Sequence, residues 1–145
     1  GFAMANSFTC NIVSAEASIF SGTVEQVIAS GIMGDLGVLP GHAPLLTELQ
    51  PGPVRVIHDG GKEENFFVSG GFMEVQPNVV TILADSASRA SDLNEAAAEE
   101  ARQQALRAFN EKSSELDYTR AAAELAEAVA QLRTIQQLRK KAGKG

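Results

Sequence analysis

Apolar and polar positions follow two different periods along this chain, and the period changes near residue 91. Before that point, apolar residues alternate with polar ones in short runs, as Phe8, Cys10 and Ile12 do. This is the two-residue period of a half-buried β-strand. Later segments repeat the alternation at residues 54–56, 66–68 and 73–75. The pattern therefore predicts a series of short strands over residues 7–85.

Turn-forming residues separate these runs. Asp59-Gly60-Gly61 lies between two of them and is typical of a β-hairpin, and Pro77-Asn78 marks a turn before residues 79–83. All five prolines and eleven of the thirteen glycines precede Ser91. Because glycine and proline favour turns and destabilise helix interiors, the first part predicts an antiparallel β-sandwich or flattened barrel.

After Ser91 the apolar period becomes helical. Ser91 or Asp92 can cap a first helix, with Glu95 in the capping-box position. The apolar stripe of that helix comprises Leu93, Ala97, Ala101, Ala105, Ala108 and Phe109. Polar residues 110–117 predict a loop, where Asn110, Ser113 and Ser114 favour turns.

A second helix follows this loop. Tyr118, Leu125 and Leu132 recur every seven residues, with alanines between them and Ile135 beyond. Two such stripes predict an antiparallel helical pair with a narrow seam. Because the seam is mostly alanine, each contact removes little apolar surface from water. The composition leaves two alternatives open, a pair that can open and a pair that stays docked.

Composition excludes several classes of protein. With 145 residues, a net charge of −6 and a single cysteine, Cys10, the chain is not a generic nucleic-acid binder and has no internal disulfide framework. No run approaches the ~18 apolar residues of a membrane span, and the start does not resemble a signal peptide. We expect Met4 to be the native start, residues 1–3 to be an expression remnant and a reducing cytosol to be the compartment.

The segment 34–46 concentrates glycine and proline. By itself it predicts a structural corner in which Leu36, Val38 and Leu39 are buried between close turns. His42 lies between Gly41 and Ala43 with no second ligand nearby, so its sequence context favours neither a metal ligand nor a catalytic base.

This segment resembles a known signature. GDLGVLPGHAPLLT, residues 34–47, is closely similar to the glycine-rich motif of bacterial F-type ATP synthase epsilon subunits. Other stretches that fit the family are residues 13–16, 20–22, 51–52, 68–75, 80–85, 117–118, 122–126 and 131–133. The resemblance covers essentially Met4 to Lys141. It implies an α+β fold, an antiparallel ten-stranded β-sandwich at 4–88 followed by an antiparallel two-helix hairpin at 91–141.

The resemblance also implies a non-catalytic role in the rotor. The sandwich would bind the gamma subunit and rest on the ring of c subunits at the cytoplasmic face of the bacterial inner membrane, touching the membrane only through the complex. Residues of this chain that match the interface are Ser14, Asp35, Leu36 and His42. An acidic loop at Asp35 would face the polar loops of the c-ring, and the His42 region would face gamma.

The last turns of the chain are basic. No acid follows Glu127, whereas five cations do, which is also what an ordinary solvated helix C-terminus looks like. In the family this helix can detach, extend along gamma and block the alpha and beta subunits of the catalytic head. The residues expected to do so here are Leu132, Arg133, Ile135, Leu138, Arg139, Lys140 and Lys141.

Signals for catalysis or cofactors are missing from the sequence. There is no phosphate-binding loop, dinucleotide fingerprint or catalytic triad spacing, so we expect no catalytic residue, cofactor or metal. Some family members bind ATP through an Ile/Leu-Asp-x-x-Arg-Ala motif. The matching positions here are Leu93, Asn94, Ala97 and Ala98.

Asn94 replaces the acid of that motif and Ala97 its arginine, so we expect weak or no ATP binding. Two alternatives remain from other classes. One is an ATP-sensing module whose hairpin folds around nucleotide. The other is a stand-alone ligand-binding sandwich with an oligomerising coiled coil, although the chain has no tryptophan and one tyrosine to line a cleft.

Overall fold

The computed structural model describes residues 6–111 and 115–143. The predicted start at Met4, residues 1–3 before it, Ser113 and Ser114 of the predicted loop, and Lys144 lie outside the described residues.

Ten strands occupy the first part of the chain. They are β1 (Phe8–Ser14), β2 (Ser18–Val24), β3 (Gln26–Gly31), β4 (Gly34–Val38), β5 (Leu45–Leu49), β6 (Gly52–Ile57), β7 (Glu63–Val68), β8 (Gly71–Val75), β9 (Val79–Ala84) and β10 (Ala87–Arg89). Their hydrogen-bonded order is β10-β7-β6-β3-β5-β8-β9-β1-β2, with β4 paired to β3. The last strand, β10, also contacts β1 and β2, so the two ends of the sheet approach each other around one core.

The pairings are antiparallel with one exception. Strands β1 and β9 run parallel, with Cys10 opposite Val80 and Ile12 opposite Ile82. All other strand pairs are antiparallel, as the alternation and turns predict. A parallel pair requires a long connection rather than a tight turn, and the seven strands between β1 and β9 provide it. The predicted α+β class with a ten-stranded sandwich is confirmed with this refinement.

The core follows the predicted two-residue period. Cys10, Ile12, Met73 and Ile82 have no solvent exposure, and their strand neighbours face outward in alternation. Burial raises the pKa of the Cys10 thiol to about 12, because the apolar surroundings disfavour its charged form. The thiol therefore stays protonated and acts as a small apolar side chain.

Tight turns connect the strands where glycine signals predict them. Gly60 and Gly61, between β6 and β7, both have positive φ, 86° and 84°. The most constrained glycine is Gly71, with φ +135°, where an added Cβ would lie 2.1 Å from the carbonyl oxygen of Leu83. Only glycine meets both requirements without displacing β9.

Two helices form the second part of the chain, α1 (Glu95–Glu111) and α2 (Glu115–Gly143). The predicted cap of α1 is wrong by two or three residues. Ser91 and Asp92 belong to a 3-10 turn at Ala90–Asp92, and the Asn94 side-chain oxygen accepts the hydrogen bond from the Ala97 N–H at 3.0 Å. Asn94 is thus the N-cap.

The predicted stripe of α1 is correct at Ala105, which is buried, but wrong at several of its alanines. Ala98 and Ala105 are buried, whereas Ala97, Ala101 and Ala108 are exposed. Several consecutive alanines allow more than one helical stripe, so the sequence pattern did not specify which face turns inward. The predicted loop is also too long, because Asn110 is helical in α1 and residues 115–117 are helical in α2.

The seam between α1 and α2 is narrow. On α2, Ala121 and Ala128 are buried and Leu125 is half-buried. Near the helix–helix connection, the rings of Phe109 and Tyr118 pack against each other at a tilt of 39°, with centroids 4.4 Å apart. The contacts between α1 and α2 are extensive, but most of the side chains buried there are alanines. The predicted alanine seam is therefore present.

Candidate functional site

The turn between β3 and β4 projects apolar side chains into solvent. Ile32 is 51% exposed and Met33 is 93% exposed. Gly34, which follows them with φ +124°, allows the tight reversal that turns both side chains outward. Leu39 is exposed as well, against the prediction of burial, because β4 ends at Val38 and Leu39 already belongs to the next turn.

The four predicted interface residues lie on different elements. Asp35 is exposed on β4, and His42 is exposed in the connection from β4 to β5, with its Nδ1 2.8 Å from the carbonyl oxygen of Ala43. Leu36 is half-buried and packs against the core, so it positions β4. Ser14 ends β1, where its hydroxyl reaches the Ala17 carbonyl. Asp35, Leu36 and His42 thus belong to one chain segment, and Ser14 to another strand.

A second apolar surface covers the outside of neighbouring strands. Leu46 on β5, Phe72 on β8 and Leu83 on β9 are 66%, 48% and 53% exposed. Phe72 lies directly opposite Leu83 on one side and opposite Glu48 on the other, and Leu46 lies two residues before Glu48 on the same face. We call Leu46, Phe72 and Leu83 the outer apolar face.

Helix α2 lies against the sandwich at β6, β7 and the 3-10 turn before α1. Ala130, Thr134 and Ile135 are buried, whereas Leu132 and Leu138 are half-buried. The Thr134 hydroxyl donates a hydrogen bond to the Ala130 carbonyl oxygen at 2.8 Å. This bond satisfies a polar group that would otherwise be buried without a partner.

Ionic contacts fix the last turns of α2. The Lys141 ammonium group binds the Glu63 carboxylate on β7, and the Arg139 guanidinium binds Glu95 at the start of α1. Lys140 and Arg133 are exposed. Of the seven residues expected to act in an extended helix, Ile135 is therefore buried and two cations are paired inside the chain.

Glu63 is the hub of these contacts. Its carboxylate also accepts hydrogen bonds from Arg55 at 2.8 Å and from Asn65 at 3.2 Å. Burial alone would raise the pKa of Glu63, but hydrogen bonds from Arg55, Lys141 and Asn65 outweigh it and lower the pKa to about 2. We call Arg55, Glu63, Asn65 and Lys141 the Glu63 cluster.

A cavity of about 230 Å³ lies beside this cluster, between the end of α2 and strands β3, β4 and β6. Asp35 and Arg55 line it from the sandwich, and Gln137, Lys140 and Lys141 line it from α2. At Gln137, Lys140 and Lys141, therefore, the helix is not closely packed on the sheet.

The positions that match the ATP motif have structural roles. Asn94 caps α1 and Ala98 is buried, whereas Ala97 is exposed and Leu93 is half-buried. The nearest arginine on α1, Arg102, is already engaged, because it donates two hydrogen bonds to Glu99. Hydrogen bonds from Arg102 and then Gln103 lower the pKa of Glu99 to about 2.

The described residues hold no group of three or more metal-ligating side chains. Within the same ranges, no helix is sufficiently long and apolar to span a bilayer.

Comparison with known proteins assigns both parts of the chain. Residues 7–90 match the family model for the beta-sandwich domain of the ATP synthase delta/epsilon chain, and residues 91–136 match the model for its long alpha-helix domain. The chain belongs to the ATP synthase delta/epsilon family. A relative in Chromohalobacter salexigens, named ATP synthase epsilon chain, is 73% identical over 135 residues, which cover 93% of this chain and 96% of the relative.

Solved structures share the delta/epsilon fold. A chain of the Euglena gracilis mitochondrial ATP synthase, solved with OSCP, F1 and the c-ring, aligns with a TM-score of 0.79 at 23% identity, covering 89% of this chain and 81% of that one. A chain from the central stalk and c-ring of the Tetrahymena thermophila mitochondrial ATP synthase aligns with a TM-score of 0.62 at 11% identity, covering 88% and 96%. At these identities the likeness shows the fold alone.

Several surface residues of this delta/epsilon chain were missed by sequence reasoning. Ile32 and Met33 had a visible signal, because two large apolar residues between Gly31 and Gly34 must project from a tight turn. The outer apolar face had no local signal, since each of its members lies in an ordinary strand pattern and only cross-strand pairing brings them together.

Proposed function

We propose that this chain is the epsilon subunit of a bacterial F-type ATP synthase, a non-catalytic subunit of the central stalk. The observation that carries the proposal is that both family models match consecutive parts of one chain, over residues 7–136. The 73% identity to a bacterial ATP synthase epsilon chain, over almost the full length of both proteins, supports it. The location would be the cytoplasmic face of the inner membrane, through the complex.

The sandwich would join gamma to the c-ring. We assign the β3–β4 turn, with Ile32 and Met33 and with Asp35 close behind, to the c-ring contact. The His42 region would face gamma, Ser14 would lie at another edge of the interface, and Leu36 would hold β4 in position. Exposed apolar side chains bordered by polar ones are typical of a protein interface, and an acid at the border would set register more than affinity.

The outer apolar face would receive gamma. Leu46, Phe72 and Leu83 expose about half or more of their surfaces, with Glu48 and Glu74 on the neighbouring positions. A contiguous apolar surface with acidic neighbours fits a partner that presents apolar side chains flanked by basic ones. The proposed gamma contact thus comprises the outer apolar face together with the His42 region, which the sequence resemblance already assigns to gamma.

Sizing the purified chain with gamma tests this surface. We expect a one-to-one complex, and we expect Phe72→Glu to weaken it at least tenfold, because a charge would be buried among apolar groups and beside two acids. Thr23→Glu, at an exposed position on β2, is the matched control and should bind as the wild type does. A homodimer indifferent to gamma would instead support a stand-alone ligand-binding sandwich.

Helix α2 would restrain ATP hydrolysis by extending into the catalytic head, where Leu132, Ile135 and Leu138 would anchor it. Arg133, Arg139, Lys140 and Lys141 would pair with acids of the beta subunits. The docked helix described above supports a two-state scheme, because Ile135 is buried and Arg139 and Lys141 are paired within the chain. Those contacts must break before the same groups can bind the head.

Deleting residues 131–145 tests the restraint. In the assembled enzyme this deletion should raise ATP hydrolysis, because it removes all seven residues assigned to the inhibitory contact. A control that lacks only residues 142–145 keeps all seven and should hydrolyse ATP at close to the wild-type rate. Unchanged hydrolysis in the longer deletion, with gamma binding retained, would contradict the inhibitory role.

The alternative of an ATP-sensing module is disfavoured by the role of Asn94. Asn94 caps α1, and Arg102 is paired with Glu99, so neither is poised for a phosphate. Titration calorimetry with MgATP should detect no binding at micromolar concentrations. Micromolar affinity would favour the ATP-sensing alternative.

A further inference from the structure

The last turns of α2 contact the sandwich through charge rather than through apolar packing. Apolar contact fades along the helix from Ile135, which is buried, to Leu138, which is half-buried. The cavity of about 230 Å³ adjoins this end of the helix, at Gln137, Lys140 and Lys141. Lys141 crosses from α2 to the sandwich at its edge and binds Glu63.

The acceptor for Lys141 is held in place by the sandwich itself. Arg55 on β6 and Asn65 on β7 face each other across the strand pair, and both bind Glu63 on the outer side of the sheet. A carboxylate oriented by two neighbours loses little further freedom when a third group binds. Glu63 is therefore pre-organised for Lys141, and its side chain retains only 21% exposure.

We propose that Glu63 is a regulatory contact that sets how readily α2 leaves the sandwich, with Lys141 as the group it holds. The inference rests on the proposed function and deepens it, because Lys141 is also one of the cations assigned to the inhibitory contact. While Glu63 holds it, Lys141 is withheld from acids of the catalytic head. Weakening the Glu63 cluster therefore favours release of α2 and, in the assembled enzyme, inhibition.

Glu64 offers a matched control on the adjacent position of the same strand. It is partly buried like Glu63, with 32% exposure, and it also binds a cation, since Arg89 lies at 2.8 Å and His58 at 2.9 Å. Successive residues of a strand face opposite sides. Glu64→Gln thus removes the same charge from β7 without removing a partner of α2.

Amide hydrogen exchange of the full-length chain measures release directly. Glu63→Gln should accelerate exchange at the buried residues Thr134 and Ile135 about two- to fivefold, the range expected for losing one partly exposed ion pair. Glu64→Gln should leave these rates within about 1.5-fold of the wild type. Equal rates in the two variants would overturn the proposal.

Variants on the helix provide a second check. Lys141→Met should accelerate exchange as Glu63→Gln does, and combining the two should add little, because both remove the same contact. Lys140→Met, at the adjacent exposed position, should leave the exchange rates of Thr134 and Ile135 in the isolated chain unchanged. Raising the salt concentration from about 0.1 M to 1 M shortens the screening length from ~10 Å to ~3 Å, so exchange should accelerate in the wild type more than in Glu63→Gln. Full additivity of the two substitutions would overturn the pairing.

The assembled enzyme separates this proposal from the inhibitory role. Glu63→Gln should lower ATP hydrolysis, because released α2 inhibits, and deleting residues 131–145 should abolish that effect. Faster exchange in the isolated chain with unchanged hydrolysis would uphold the Glu63 contact and contradict the inhibitory role. Unchanged exchange would overturn the Glu63 contact, whatever hydrolysis does.

Discussion

The sandwich and the helical pair are stabilised by different kinds of side chain. The sandwich core contains large side chains that are completely buried, among them Phe66, Ile12, Met73 and Ile82. In the helical pair, most of the buried side chains among the described residues are alanines, and Ile135 is the largest of those buried. Hydrophobic stabilisation scales with the apolar area removed from water, at roughly 25 cal/mol per Å². The sandwich therefore gains more hydrophobic stabilisation per ordered residue than the helical pair does.

The difference is consistent with the proposed function, in which the sandwich is the fixed part and α2 the movable one. A surface that docks on a rotor must keep its shape, which large, fully buried side chains ensure. A helix that leaves and returns must not be bound too tightly, which small side chains and a few ion pairs allow. Tyr118, the only tyrosine in the sequence, lies on α2, so its fluorescence can report on the helical pair.

The largest expected effect comes from the sandwich core. Phe66→Ala should lower the free energy of unfolding by about 3–5 kcal/mol, because Phe66 is fully buried and packs against the ring of Phe20 at 5.4 Å. Urea unfolding followed by circular dichroism measures the loss. Phe72→Ala, at a half-exposed position on the outer apolar face, should cost much less, and an equal cost would break the comparison.

The second largest effect is expected at Gly71, where the backbone conformation and the close approach of β9 both require glycine. Gly71→Ala should lower the free energy of unfolding by roughly 2–4 kcal/mol, because the positive φ strains alanine and the new Cβ meets Leu83 and Ala84. Gly37→Ala is the control, since its nearest neighbour is the Gln26 amide nitrogen at 3.5 Å. We expect Gly37→Ala to be neutral or slightly stabilising. A similar loss at both glycines in the same urea measurement would contradict this explanation.

A smaller effect is expected where the helical pair meets the sandwich. Ile135→Ala should lower the free energy of unfolding by about 2 kcal/mol, the low end of the range for truncating a buried isoleucine to alanine. Ile135 is one of the few large side chains through which α2 rests on the sheet. Its effect should be larger on hydrogen exchange of α2 than on that of β1 or β9. Val129→Ala, at an exposed position of the same helix, is the control. Uniform acceleration across both parts would mean that the helices and the sandwich open as one unit.

Much of the fold could be predicted because its signals are local. The alternation at Phe8, Cys10 and Ile12, the turn at Gly60–Gly61 and the absence of proline after Ser91 each act within a few residues. Sequence patterns that fit several positions equally well, such as the helix cap, did not determine which position is used. Ser91, Asp92 and Asn94 can all cap a helix, and the path of the chain after β10 decides among them.

The candidate site was less predictable because its contacts are distant in sequence. Glu63 and Lys141 are 78 positions apart, and neither belongs to a motif. Their pairing depends on which face of α2 meets β6 and β7, and the alanine-rich stripes do not specify that face. The basic end of the chain was visible in the sequence, but its docked partners required the structure.

The smallest expected effect is the pH dependence of the Glu63 cluster. Because the folded-state pKa of Glu63 is lowered from 4.5 to about 2, its contribution to stability is complete above pH 4.5 and is lost as the pH falls toward 2. The charged groups around it are Arg55 and Lys141, with Asp35 and Lys140 lining the adjacent cavity.

The comparison of wild type with Glu63→Gln isolates this contribution. Urea unfolding followed by Tyr118 fluorescence suits the measurement, because urea is uncharged and does not screen ion pairs. The stability difference between the two proteins should be about 1 kcal/mol at pH 7, unchanged at pH 5.5 and much reduced at pH 3. A difference that grows as the pH falls would mean that Glu63 is bound more weakly in the folded chain than in the unfolded one. The helical pair would then owe nothing to this carboxylate, and apolar packing alone would hold it on the sandwich.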